Sequence, residues 1–422
     1  MPKENNNNKG AKRWQVLFLS FVGAVSLVIY LVITTTKSHI KSIGHHVTTL
    51  EKHSDGRFSP QEHQILSGTY YLMDLGMGSL PAKGTAYNIM GTFCPLDWHL
   101  QKSNPSTVPM FRDLVAQSVH CQRNSIKMDL RKMATKARLL DAGGGTATHE
   151  LKLSGVVFHE TRCGSTLVAN LLAGFSPETN RVYSESGPPV TALRMCDGVA
   201  VCNAPAHDAL VRDVFYMMGR SNNPREKHVF FKIQSVGVRS IDVFTRVFSQ
   251  TPWLFVYRDG VEIVMSHLKS KDQTDAVCLR SRHRPPAMLR ELVQAAGKEL
   301  KSLSSTEFCA AHLASLCQAA LTEYTKNPER AKFVNYASLP EVMWESVLPG
   351  HFGIDLNSAE IERMTNVASV YSKGRGPKAN KEWESDSQKK QDKAWEQIRS
   401  AVELFVRGPF DKMEELSHAA VQ

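Results

Sequence analysis

Two short segments hold residue types that can grip an anionic group. The first is Thr161-Arg-Cys-Gly-Ser-Thr-Leu167, which follows the apolar run Leu153–Phe158 and opens the helical pattern Ser165–Leu172. A tight loop between strand and helix turns backbone amides and a helix amino terminus toward an anion. Here Cys163 and Gly164 form the turn, Arg162 adds charge, and Ser165 and Thr166 add hydroxyl donors. A GxxxxGK[ST] nucleotide loop would need Gly in place of His159 and Lys in place of Ser165, so triphosphate hydrolysis is disfavoured. The second segment runs from Pro252 to His267: an apolar strand, the turn Arg258-Asp259-Gly260, then a helix. Ser266 stands eight residues after Arg258, about two turns along that helix. Taken alone, Arg258–Asp259 reads equally as a surface ion pair and Ser266 as an ordinary helix position.

Transfer of such a group to an alcohol needs a base for the hydroxyl and positive charge on the moving group. Glu185 lies 23 residues beyond Arg162, at the end of a short strand, Arg181–Tyr183. It is the candidate base; otherwise it caps the helix that begins near Pro188. Lys232 interrupts the apolar strand Val229–Ile233. A buried ammonium needs a partner, which is either the transferred group or a structural ion pair.

These residues must be carried by a sheet. Apolar runs at Leu153–Phe158, Val229–Ile233, Trp253–Tyr257 and Lys332–Val334 predict short buried strands. Helical patterns at Ser165–Leu172, Ala206–Met218, Ser240–Phe248, Glu262–Leu268 and Glu307–Tyr324 alternate with them. That alternation predicts an α/β fold, a P-loop-type mostly parallel sheet flanked by helices, with ligands at the carboxyl ends of its strands.

The 161–167 loop resembles the 5′-phosphosulfate loop of sulfotransferases, which use 3′-phosphoadenosine 5′-phosphosulfate (PAPS). The Arg258–Ser266 segment is similar to the family's 3′-phosphate signature, with Gly260 where the family usually has Pro. The two motifs stand in the family's order, and the resemblance spans roughly 150–380. It implies PAPS as co-substrate, no metal, Glu185 as general base, and Arg162 and Lys232 on the sulfuryl oxygens. It implies Arg258 and Ser266 on the 3′-phosphate. Phe333-Val-Asn-Tyr-Ala-Ser-Leu339 resembles a later family element, in which Tyr336 either flanks the nucleotide or packs. The stretch 371–393 carries seven basic residues against four acidic ones and resembles a late basic loop, with Lys373 and Arg375 as candidates. The acceptor is a hydroxyl on a glycan, a tyrosine or another alcohol. A P-loop kinase or a non-catalytic lumenal binding protein is the alternative.

Ahead of this domain, residues 14–36 run without a formal charge from Trp14 to Thr36. That length spans a bilayer, and Lys3, Lys9, Lys12 and Arg13 before it put the amino terminus in the cytosol. The expected organisation is a cytosolic tail (1–13), a transmembrane anchor (14–36), a stem and extension (37–150) and a catalytic domain (151–422). With the resemblance, this implies a single-pass type II Golgi membrane protein with a lumenal catalytic domain. The net charge of +10 suits an anionic partner. The tail supplies +3 of it and the apparent cofactor lining part of the rest, so nothing calls for nucleic acid. Eight cysteines in 422 residues are too few for a disulfide scaffold, and no C-x-x-C pair suggests zinc. Cys94–Cys121 and Cys196–Cys202 are conceivable pairs; Cys309 and Cys317 sit too far apart on one predicted helix to bond.

Overall fold

The computed structural model describes residues 58–143, 147–268, 273 and 275–419. The span at 14–36 and the tail before it lie outside the described residues. Among the described residues, no helix is long and apolar enough to cross a membrane. One compact unit begins at Glu62, so the segment read as stem and extension is part of that unit from Glu62 onward.

That early part forms a layer of its own. Strands β1 (Tyr71–Leu75), β2 (Met90–Cys94) and β3 (Ile126–Asp129) pair antiparallel in that order. Between β2 and β3 lie short helices, including α1 (Phe111–Gln117). Elements of four to seven residues are too short to show a helical or strand period, which is why this layer left no pattern in the sequence. A disulfide from Cys94 to Cys121 ties the end of β2 to the chain after α1.

The central sheet has five strands: β4 (Lys152–His159), β5 (Asn180–Ser184), β6 (His228–Lys232), β7 (Trp253–Tyr257) and β8 (Ala331–Asn335). They stand in the order β8-β7-β4-β6-β5, and every neighbouring pair is parallel. Parallel strands require crossovers, and helices supply them. They include α2 (Ser165–Gly174) after β4, α3 (Ala204–Gly219) before β6, and α4 (Gly260–His267) with α5 (Ser305–Tyr324) between β7 and β8. The predicted mostly parallel sheet flanked by helices is what the chain forms. Strands covered on both faces need no polar side, hence the unbroken burial of Trp253 through Tyr257. α5 starts where a capping box dictates: Ser304 accepts from the Glu307 amide and Glu307 accepts from the Ser304 amide.

The path of the chain marks a crevice. From β4 it moves to β5 on one side of the sheet; from β7 it moves to β8 on the other. Outgoing connections therefore part between the neighbours β4 and β7, the place where open α/β sheets bind ligands.

Cysteine pairing goes beyond the sequence reading. Cys94–Cys121 and Cys196–Cys202 are bonded, and Cys278 pairs with Cys309. The third pair crosses from a short turn to α5, a contact made by folding alone. Cys163 and Cys317 are free and buried.

Candidate active site

Strand register brings the chemistry to one edge. His159 lies opposite Val256, and Lys232 lies opposite both Val157 and Ser184. The carboxyl ends of β4, β5, β6 and β7 thus emerge together, followed by the 161–167 loop, Glu185, Gln234 and Arg258. A cleft of about 560 Å³ opens there. Arg162, Cys163, Gly164, Ser165, Thr166, Glu185, Arg258, Ser266, Tyr336 and Lys373 all line it. Lys232 lies behind this wall, 1% exposed. Arg375 does not join the lining: its guanidinium forms a bidentate pair with Asp113 of α1 at 3.0 and 2.6 Å. The late basic stretch thus sends Lys373 and Lys390 to the cleft, while Arg375 is held at Asp113.

The loop is held in shape from several sides. Arg162 and Gly164 both have left-handed backbone, with φ of 66° and 84°. At Gly164 that conformation excludes most side chains, and a Cβ would run into the Tyr336 ring. The thiol of Cys163 donates to the Glu160 carbonyl at 3.0 Å. Burial pushes this thiol up to about 12, so it packs and is no nucleophile. The Thr161 hydroxyl pairs with the His267 ring, linking the loop to α4. Burial, with Arg162 nearby, holds His267 down at about 4, so its ring is neutral near pH 7.

Glu160 was not singled out from sequence, and it joins the two halves of the site. Its carboxyl is fully buried; it accepts the Arg258 backbone N–H at 2.9 Å and the Cys317 thiol at 2.8 Å. Burial raises it to about 8. An acid directly after a buried strand was the available signal.

Arg258 is gripped from three directions. Its guanidinium lies 4.1 Å from the centre of the Tyr336 ring, so Tyr336 packs between Arg258 and the loop. It is paired with Glu262 of α4 and donates to Asp386 at 2.9 Å and to Ser387 at 3.0 Å. Lys390 closes on Asp386 at 2.7 Å. The Ser266 hydroxyl donates to the Glu262 carbonyl of its own helix at 2.7 Å.

Across the cleft, Glu185 also has left-handed backbone, with φ of 56°. Its N–H donates to the Lys232 carbonyl at 2.8 Å, and the Gln234 side-chain amide donates to the Glu185 carbonyl at 3.1 Å. Its carboxylate is paired with the Lys232 ammonium. Burial pushes Glu185 up, but Lys232 and then His159 outweigh it and hold the carboxyl at about 2. Of the two sequence readings of Lys232, the structural ion pair is formed, and its Glu185 member lines the cleft. His159 is a further residue the sequence reading passed over. Its ring is buried, and burial followed by Lys232 holds it down at about 3. Its Nε2 has no hydrogen-bond partner among the described residues and lies 3.7 Å from Glu185 Oε1.

Lys373 reaches the cleft from the late basic stretch. Burial, then Arg162 and Lys232, lower it to about 8. Of the groupings with metal-ligand atoms among the described residues, Cys196, Cys202 and His207 stand closest together, but the two sulfurs are joined in a disulfide.

No family model matches this chain, and no curated protein does. Solved structures do resemble it. The sulfotransferase domain from the curacin biosynthetic pathway is 12% identical over 60% of this chain and 98% of its own, with a TM-score of 0.34. Sulfotransferase STF1 from Mycobacterium tuberculosis H37Rv is 12% identical over 56% and 75%, with a TM-score of 0.34. The sulfotransferase domain of the Synechococcus PCC 7002 olefin synthase is 11% identical over 61% and 95%, with a TM-score of 0.31. At those scores the likeness says nothing about the reaction.

Proposed function

We propose that the cleft binds PAPS and that the protein is a sulfotransferase acting on a hydroxyl acceptor. The carrying observation is that two anion-gripping segments, the Arg162 loop and the Arg258–Ser266 turn and helix, face one cleft at the switch point of a parallel sheet, with Glu185 and Tyr336 on its walls. In this reading the loop amides, Ser165, Thr166 and Arg162 hold the 5′-phosphosulfate, while Arg258 and Ser266 hold the 3′-phosphate. The acceptor oxygen attacks sulfur in line and its proton passes to Glu185. The new O–S bond forms as the bond from sulfur to the 5′-phosphate oxygen breaks, releasing 3′,5′-bisphosphoadenosine.

A carboxylate held at about 2 is a weak base. An arriving sulfuryl group changes that, because its oxygens compete for the Lys232 ammonium. As Lys232 turns to them, Glu185 loses the charge that depressed it and returns toward the ordinary carboxylate range. The pair thus couples donor arrival to base strength. Arg and Lys suffice for the charge on a sulfuryl group, and this reading needs no metal. The kinase alternative lacks its loop lysine, since Ser165 stands in that place.

The same reading places the protein in the Golgi membrane, anchored as single-pass type II through 14–36 with the catalytic unit lumenal. Three bonded cysteine pairs support an oxidising compartment.

Calorimetry of the full-length chain tests the donor. It should bind 3′,5′-bisphosphoadenosine at micromolar concentrations and bind ATP more weakly with or without Mg²⁺; preference for ATP with Mg²⁺ overturns the reading. Lys373 adds a pH signature. It is cationic below about 8 and loses its charge above, whereas a bound phosphate favours the cation. Affinity should therefore fall as pH rises from about 8 to about 10, with a proton taken up on binding over that range. Titration in buffers of different ionisation enthalpy reads the uptake, which should vanish in Lys373→Met. An undiminished uptake in that variant assigns it elsewhere.

A further inference from the structure

A second pocket, of about 340 Å³, adjoins the donor cleft, and Glu185, Gln234 and Arg112 line both. We propose that it is the acceptor subsite and that it takes a small molecule bearing a single hydroxyl on an apolar body. The proposal rests on the sulfuryl-transfer reading of the cleft.

Its walls come from the early layer that the sequence left without a pattern. Met73 is on β1; Phe111 and Val115 are on α1; Met110 precedes α1. Met110 and Phe111 are buried, and the Met110 sulfur lies 3.5 Å from the Ser184 hydroxyl at the end of β5. The Met73 sulfur rests 3.4 and 3.5 Å from the two sulfurs of the Cys94–Cys121 disulfide. The wall is therefore braced to the central sheet on one side and covalently on the other. Thioether and aromatic side chains suit a flat or flexible apolar body.

Polar groups are confined to two places. Glu185 and Gln234 stand where the pocket meets the donor cleft, which is where the reacting hydroxyl must lie. Asp74 and Gln122 are exposed, at the rim, and Arg112, also exposed, stands with Glu185 and Gln234 where the two pockets meet. A polyhydroxylated sugar would turn several hydroxyls onto Met73, Met110, Phe111 and Val115, which offer them no hydrogen-bond partner of ordinary strength. An apolar body with one hydroxyl leaves none unpaired. The volume is near the lower end of the roughly 300–1,000 Å³ usual for small-molecule sites. This favours a small acceptor over a polymer chain.

The test uses the purified full-length chain, with 2-naphthol and methyl α-glucoside as probes. Each is titrated with and without saturating 3′,5′-bisphosphoadenosine. The expected result is saturable 2-naphthol binding that weakens at least tenfold in Val115→Trp, which fills the pocket, with bisphosphoadenosine affinity unchanged. Val115→Ala, which leaves room, should keep 2-naphthol affinity within about threefold, and methyl α-glucoside should show no saturable binding. If bisphosphoadenosine binds but 2-naphthol ignores Val115→Trp, or the glucoside binds more tightly, the acceptor assignment falls and the donor reading stands. If the parent chain fails to bind bisphosphoadenosine, the donor reading falls and takes the acceptor assignment with it.

Discussion

Glu185→Gln should slow turnover by about 10²–10⁴-fold while leaving the affinity for 3′,5′-bisphosphoadenosine within about twofold. The amide keeps the shape and an acceptor oxygen but cannot take the acceptor's proton. It also leaves Lys232, 1% exposed, without its counter-charge, and that has a structural cost which must be separated from the chemical one. The double variant Glu185→Gln, Lys232→Met removes both charges and should regain much of the lost thermal stability, yet not turnover. Recovery of turnover in the double variant would reduce Glu185 to a structural partner of Lys232. The pH dependence of stability has a defined sign. Glu185 is depressed in the folded chain, so its pair with Lys232 contributes fully above the ordinary carboxylate range and is lost as pH falls toward about 2. Glu185→Gln should therefore flatten part of the acid limb of a melting curve, and a limb of unchanged steepness would place the relevant titration on another residue.

What could be read from the sequence followed from how each part is held together. Parallel strands buried on both faces are continuous apolar runs, so β4, β6, β7 and β8 were visible, as was the Arg181–Tyr183 core of β5. The loop and the Arg258–Ser266 segment were visible because their spacing is local: strand, turn and helix fix it within 20 residues at most. Partnerships between distant segments were not. Glu160 holds the Arg258 backbone across 98 residues, and nothing in either segment announces it. His267 is in sequence only the end of a helical segment, yet it bonds Thr161 across 106 residues. Arg375 was chosen by charge alone, and charge is what Asp113, 262 residues away, uses to hold it elsewhere. The early layer was missed for the opposite reason. Apart from the 13-residue helix Leu130–Ala142, its elements are so short that period carries no information, and they persist because the central sheet, the helices and a disulfide support them.

Arg258→Ala should weaken bisphosphoadenosine binding by about a hundredfold or more, equivalent to about 2.8 kcal/mol, whereas Asp386→Asn should tighten it by about three- to tenfold. The two changes have opposite signs because Arg258 is already occupied. Glu262 and Asp386 hold the guanidinium that a 3′-phosphate would use. Glu262 is buried on α4 and its carboxylate also accepts the Ser387 hydroxyl at 2.9 Å, so it stays with the fold. Asp386 differs: its side chain is 53% exposed, so although Arg258 is 6% exposed, this carboxylate can return to water when another anion takes its place. A phosphate carrying more charge and more acceptor oxygens can displace it. Removing the Asp386 charge takes away a competitor for Arg258 and a like charge near the incoming group. It also frees Lys390, which now spends a contact at 2.7 Å on Asp386. The share of the gain that runs through Arg258 should disappear in an Arg258→Ala background, so Asp386→Asn should give a smaller gain there, left to Lys390 and the lost like charge. If Asp386→Asn weakens binding instead, the 386–390 segment supports the ligand and does not compete with it. If Arg258→Ala leaves affinity unchanged, the 3′-phosphate is held elsewhere in the cleft and Arg258 serves only to pack Tyr336 against the loop.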